Sequence, residues 1–232
     1  VSLGAVGYTR HFFKGSYASA FPALGTTPPC LEFWEGVLAP VAALRWERFS
    51  VGFSVDFVWQ RIKVNGLERI TQFPLSIESD AATNRKHGTC NGIAYSIGGM
   101  WKWTNCLTIG GMYQTGASLG PVWKYSGLFP HEGSLDTPSR TVGGFYWRPE
   151  SYYGIAVDIE HIGWRHCRWW HHNLPRTLEL IGQKPFGTCK GPGMGWGDQI
   201  IARVGGDWKI CTLYGEMVLR AGYSYGQSPI KS

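Results

Sequence analysis

Between Val51 and Val64 the chain reads VGFSVDFVWQRIKV, a single strand whose two faces have opposite chemistry. Side chains alternate across a strand with period two, so Val51, Phe53, Val55, Phe57 and Trp59 share one face and Ser54, Asp56 and Gln60 the other. An apolar face ending in a tryptophan, backed by a face that carries a carboxylate, fits a wall with hydrocarbon on one side and a wet lumen on the other. Past Trp59 the apolar face turns cationic at Arg61 and Lys63, as expected where a strand passes an aromatic girdle and meets anionic head groups. A slip of one residue would place Asp56 in oil, so the register is strongly specified.

The same test repeats along the chain. In 152–164, Tyr153, Ile155, Val157 and Ile159 oppose Asp158 and Glu160; in 198–208, Ile200, Ala202, Val204 and Trp208 oppose Gln199, Arg203 and Asp207. In 217–225, Met217, Leu219, Ala221, Tyr223 and Tyr225 oppose Arg220 and Ser224. The polar faces thus collect acids and arginines, which can pair across a lumen and would be costly unpaired away from water. Alternation and breakers give nine strands, at 1–9, 37–46, 49–64, 91–103, 106–115, 141–147, 152–164, 198–208 and 217–225. Their links alternate strictly. Those at 47–48, 104–105, 148–151 and 209–216 are short; those at 10–36, 65–90, 116–140 and 165–197 are long. One rim of the sheet should therefore carry turns and the other a crown of loops, the asymmetry of outer-membrane barrels.

Composition agrees with this reading. With 32 Gly, 12 Trp and only 16% charged residues, the chain suits strands and turns and not helices. No apolar run approaches the roughly 20 residues of a spanning helix, so a membrane location requires a closed sheet. The net charge of +6 is spread over strand ends and loops, with no basic stripe along one face, which argues against nucleic acid as a partner.

Two local features admit more than one reading. Cys167 and Cys189 fall in one long link and either close it as a disulfide or stay reduced. In GWRHCRWWHHN (163–173), His166, Cys167, His171 and His172 are potential zinc or copper ligands with His161 upstream. Arg165, Arg168, Trp169 and Trp170 suit an interfacial belt on lipid phosphates instead, and the belt is the preferred reading. No nucleophile elbow or P-loop is present, and the glycine run GPGMGWG (191–197) precedes a strand where a dinucleotide fingerprint would follow one. The chain is expected to be no enzyme and to need no cofactor.

The run LRAGYSYGQSPI (219–230), preceded by GWGDQIIARVGGDW (195–208), resembles a strand pair of the FadL/TodX family of outer-membrane transporters for long-chain fatty acids and aromatic hydrocarbons. LAPVAALRWERFSVGFSVDFVWQRIKV (38–64), YSGLFPHEGSLDTPSRTVGGFYWRPE (125–150) and YYGIAVDIEHIGW (152–164) resemble the same family in the same order. The resemblance implies an all-β fold, an antiparallel transmembrane β-barrel of which this chain carries about nine of fourteen strands. It implies a single barrel domain over 1–232 without the family's N-terminal hatch and last strands: the hatch's Asn-Pro-Ala turn is missing, the first strand resembles the family's third, and no terminal aromatic follows. It also implies passive uptake of hydrophobic compounds in the bacterial outer membrane, among lipid and lipopolysaccharide. Carried over by position, the ligand-binding candidates in the loops are Phe73, Leu75, Ile77, Trp123, Leu128 and Phe129, each of which can equally pack loop against loop. Arg203 and Arg220 can pair a ligand carboxylate or form structural ion pairs with Asp158 or Glu160. The alternative from another class is a secreted, Trp-rich β-sandwich that binds carbohydrate on its aromatic faces.

Overall fold

In the computed structural model, which describes residues 1–173, 175, 178–212 and 215–230, the chain forms one antiparallel sheet curved into a half-barrel. Its strands are β1 (Ser2–Ser16), β2 (Cys30–Arg45), β3 (Phe49–Asn65), β4 (Gly88–Lys102), β5 (Leu107–Gln114), β6 (Ser118–Leu119), β7 (Ser139–Glu150), β8 (Tyr153–Gly163), β9 (Gln199–Thr212) and β10 (Gly215–Gly226). Each long strand pairs with the next in sequence, and the two-residue β6 lies beside β4 where β5 has ended. Short helices α1 (Pro130–Gly133), α2 (Arg168–His171) and α3 (Leu178–Gln183) sit in the long links. A single curved layer is not the two-layered sandwich of the carbohydrate-binding alternative.

All nine expected strands are present, and the short links at 46–48, 103–106 and 151–152 lie on the rim opposite the long ones. The main departure is at the first hairpin. β1 and β2 run on through most of the expected 10–36 loop, leaving only 17–29 as the connection. The cause is a bulge: Thr9 pairs with Gly36 and His11 with Glu35, so Arg10 is an extra residue. The alternation changes phase there, and a period-two reading stops at Thr9. The 209–216 link also shrinks, with β9 reaching Thr212 and β10 starting at Gly215.

The faces are as expected. Phe53, Phe57 and Trp59 of β3 are exposed on the convex side, beside Ile93, Tyr95 and Ile97 of β4. Asp56 and Gln60 are buried on the concave side. The main apolar core lies at the loop rim, where Phe33, Ile62 and Val64 of the strands meet Val122, Tyr125, Leu128, Phe129, Leu135 and Phe186 of the links. Tyr125 pins this cap to the sheet. Its hydroxyl accepts the Val64 N–H at 2.9 Å and donates to the Lys86 carbonyl at 2.5 Å, and burial pushes its phenol above the ordinary range. At the top of β3, Gly66 turns with φ +79°, and a Cβ there would lie 2.6 Å from the Thr27 carbonyl oxygen. Only glycine lets the 17–29 link cross so close.

Candidate ligand pocket

Above Gln60 the concave face of the sheet changes chemistry. Ile62 and Val64 follow on β3, Leu31 and Phe33 precede Glu35 on β2, and Phe13 follows the bulge on β1. These strand ends are longer than the rest of the wall, and an inward apolar face there needs cover from water. The links supply it. Leu128 and Phe129, just before α1, and Trp169 and Trp170, in α2, close over the strand ends and leave an apolar cavity of about 330 Å³. The Phe129 and Trp169 rings meet edge to face at 4.7 Å, and Phe13 stacks on Phe33 at 5.2 Å. Phe129 is only 1% exposed, and burying a ring of that size contributes about 2–3 kcal/mol.

Below the cavity the lumen wall is polar and its acids are hydrogen-bonded. Asp56 accepts hydrogen bonds from Ser54 at 2.7 Å, from Ser96 at 2.7 Å and from Gln114, which ties β3, β4 and β5 together. Arg203 donates to Asp158 at 2.9 Å and to Glu160, and Arg140 donates to Glu160 at 2.7 Å. Nearer the turns, Asp207 accepts from Tyr146 at 2.8 Å and pairs with Arg148.

The eight expected ligand residues separate into groups. Leu128 and Phe129 line the cavity. Leu75 packs against the same core from behind. Phe73, Trp123 and Ile77 are 86%, 66% and 56% exposed, on the outside of the cap. Arg203 is held by two acids, the structural pairing that the sequence left open. Arg220 stands exposed opposite Asp207 on the concave face of β10.

The interfacial belt is not formed by the tryptophans of 163–173. Trp170 is buried, 4.7 Å from the Trp196 ring and 5.6 Å from that of Trp164, and Trp169 faces Phe129. These rings turn inward because the strand ends beneath them present apolar faces that only the links can cover. Among the described residues no three His, Cys, Asp or Glu side chains converge as a metal site. His171 and His172 instead bond the Trp196 and Gly191 carbonyl oxygens through Nδ1, each at 3.0 Å, and tie α2 to the 191–196 segment. Cys167 and Cys189 are both free. Burial, with Asp136 and Glu35 nearby, pushes the Cys167 thiol up to about 12.

Reading the β3 faces only as far as Gln60 misses Ile62 and Val64, and reading 10–36 as a loop misses Phe13 and Leu31. Following the concave face two residues further, to Ile62 and Val64, would have shown a lumen face turning from polar to apolar. The partners in 164–186 carry no such periodic signal.

No family model and no curated protein matches the chain. Solved structures do. The toluene transporter TbuX of Ralstonia pickettii superposes with a TM-score of 0.64 at 14% identity, over 97% of this chain and 65% of its own. TodX, the toluene transporter of Pseudomonas putida, gives 0.60 at 15% identity, over 97% and 64%. A FadL homologue of Pseudomonas aeruginosa gives 0.65 at 14% identity, over 99% and 57%. The chain therefore has the β-barrel fold of these transporters and spans 57–65% of their lengths.

Proposed function

We propose that this chain forms part of an outer-membrane barrel that takes up hydrophobic small molecules without energy input or cofactor. The observation that carries the reading is the apolar cavity under the loop cap, directly above a wall of paired polar groups and behind a convex face of exposed aromatics. The neighbours named as toluene transporters have the same fold. A site of about 330 Å³ is at the small end for ligand pockets and suits a single small hydrophobe. Phe73, Ile77 and Trp123 would serve as the first apolar contacts at the surface, Leu128 and Phe129 as the pocket itself, and Arg203 as a fixed strut of the lumen wall. Arg220, exposed on the concave face, would meet a ligand only after it leaves the pocket. The convex aromatics would face lipid, with Arg61 and Lys63 at the level of lipopolysaccharide phosphates.

Trp169 and Trp170 make the pocket readable by fluorescence. Titration of the detergent-solubilised protein with toluene or decane is expected to give a saturable change in tryptophan emission, and Leu128→Arg to weaken it at least about ten-fold, since a charge is placed in an apolar site. A response that rises linearly with ligand and ignores Leu128→Arg would remove the pocket from consideration.

A further inference from the structure

The outward side of the loop rim carries a charge that the pocket does not use. Because Phe13, Leu31, Phe33, Ile62 and Val64 point inward, the residues between them, Lys14, Glu32 and Lys63, point to the convex side. Strand pairing sets Lys14 beside Glu32 and Glu32 beside Lys63, and His87 lies one step beyond the Ile62–Gly88 pair. The row crosses four strands, a span of about 14 Å. Lys124 reaches it from the 120–138 link, its ammonium donating to the His87 carbonyl oxygen at 2.9 Å, and Arg61 stands two residues below Lys63, beside Trp34. The cations Lys14, Arg61, Lys63 and Lys124 thus gather round one acid. Glu32 is 3.9 Å from Lys14 and 3.5 Å from His87, and among the described residues Arg61 and Lys63 pair with no acid. Further round the rim the balance differs, for Arg165 and His161 share Asp198 at 3.1 and 3.9 Å.

Immediately below the cations the same face is an aromatic shelf. The Trp34 ring folds down over Gly36, where a Cβ would stand 2.3 Å from its Cη2, so only glycine admits it. Trp59 lies opposite Gly36, its ring 6.5 Å from that of Phe57, and Phe12 is paired with Trp34. All four rings are exposed. Lysine and arginine attract phosphate, and an exposed apolar shelf attracts acyl chains. A single phosphate meets only one end of a row about 14 Å long. A headgroup with phosphates at both ends meets the whole of it.

We infer that the convex rim of β1–β3 holds one lipid of the outer leaflet by a headgroup with more than one phosphate, the phosphorylated glycolipid of lipopolysaccharide, with its acyl chains on Phe12, Trp34, Phe57 and Trp59. The inference rests on the outer-membrane reading above and names its lipid partner and the site. Native mass spectrometry of the detergent-solubilised full chain, titrated with diphosphoryl lipid A, monophosphoryl lipid A, phosphatidylglycerol or sodium phosphate, separates the cases. Diphosphoryl lipid A is expected to be retained about five-fold more tightly than the monophosphoryl form, phosphatidylglycerol more weakly still, and inorganic phosphate not at all. The double substitution Lys14→Ser, Lys63→Ser should weaken diphosphoryl lipid A about 25-fold, at about five-fold for each cation. Lys102→Ser, at the rim of turns, should leave it unchanged. Both variants alter side chains outside the core, so their heat-modifiable gel mobility should be that of the wild type. Equal retention of diphosphoryl lipid A by wild type and double variant, equal retention of the two lipid A forms by the wild type, or retention of inorganic phosphate as tight as that of the lipid would overturn the inference while leaving the barrel standing. A chain that stays soluble and monomeric without detergent would overturn the outer-membrane reading and this inference with it.

Discussion

At the scale of single residues, neighbouring side chains in the cap meet quite different surroundings. Cys167 is buried, with its thiol pushed up to about 12, whereas Cys189 is exposed at 3.5 Å from His131 Nδ1. At pH 8 a thiol of that acidity is roughly one part in ten thousand thiolate, and the thiolate is the reactive form. Iodoacetamide at pH 8 should therefore alkylate Cys189 and spare Cys167, as read by peptide mass spectrometry. The sign of the shift also sets a pH window. The raised folded-state value keeps Cys167 neutral, so its contribution to cap stability is complete below about 9 and is lost as pH rises toward 12. Phe129 is the matching apolar case. Phe129→Ala should cost the cap about 3–5 kcal/mol and appear as faster proteolysis within 115–138 than in the wild type.

At the scale of elements, the convex and concave faces decide what each strand can tolerate. Asp56 is the shared acceptor of three neutral donors on β3, β4 and β5. Asp56→Leu would leave those donors buried and unbonded, at a cost of roughly 3 kcal/mol, seen as a lower temperature at which the sheet loses its compact gel mobility. On β10, Leu219 and Arg220 are adjacent yet point to opposite sides, and both are exposed. Spin labels at the two sites should report oxygen-rich surroundings at 219 and water-soluble relaxer at 220; identical collision profiles would contradict a lipid-facing convex side. These faces were legible in the sequence because period two is a local property. The bulge at Arg10 was not: nothing in TRHFFKG distinguishes the end of a strand from one extra residue in it, since the bulge exists only relative to the partner Gly36–Glu35.

At the scale of the whole molecule, the half-barrel has one rim of turns and one of loops, and the apolar core sits at the loop rim. An epitope inserted after Arg85, in an exposed part of the 66–87 link, should be stained on intact cells, and one inserted after Asn105 only after permeabilisation. The sequence by itself determined the strands, their inward and outward faces and the alternation of short and long links, because each follows from neighbours a few residues apart. Its six loop candidates came by position, and of these the fold brought Leu128 and Phe129 into the cavity, packed Leu75 on the core around it and left Phe73, Ile77 and Trp123 outside. Only the tertiary structure decided that Trp169 and Trp170 turn inward and that Arg10 is buried against Glu35. Those contacts join 8–16, 125–130 and 164–170, and the burial that favours them exists only once the sheet has curved and the long links have folded over its rim.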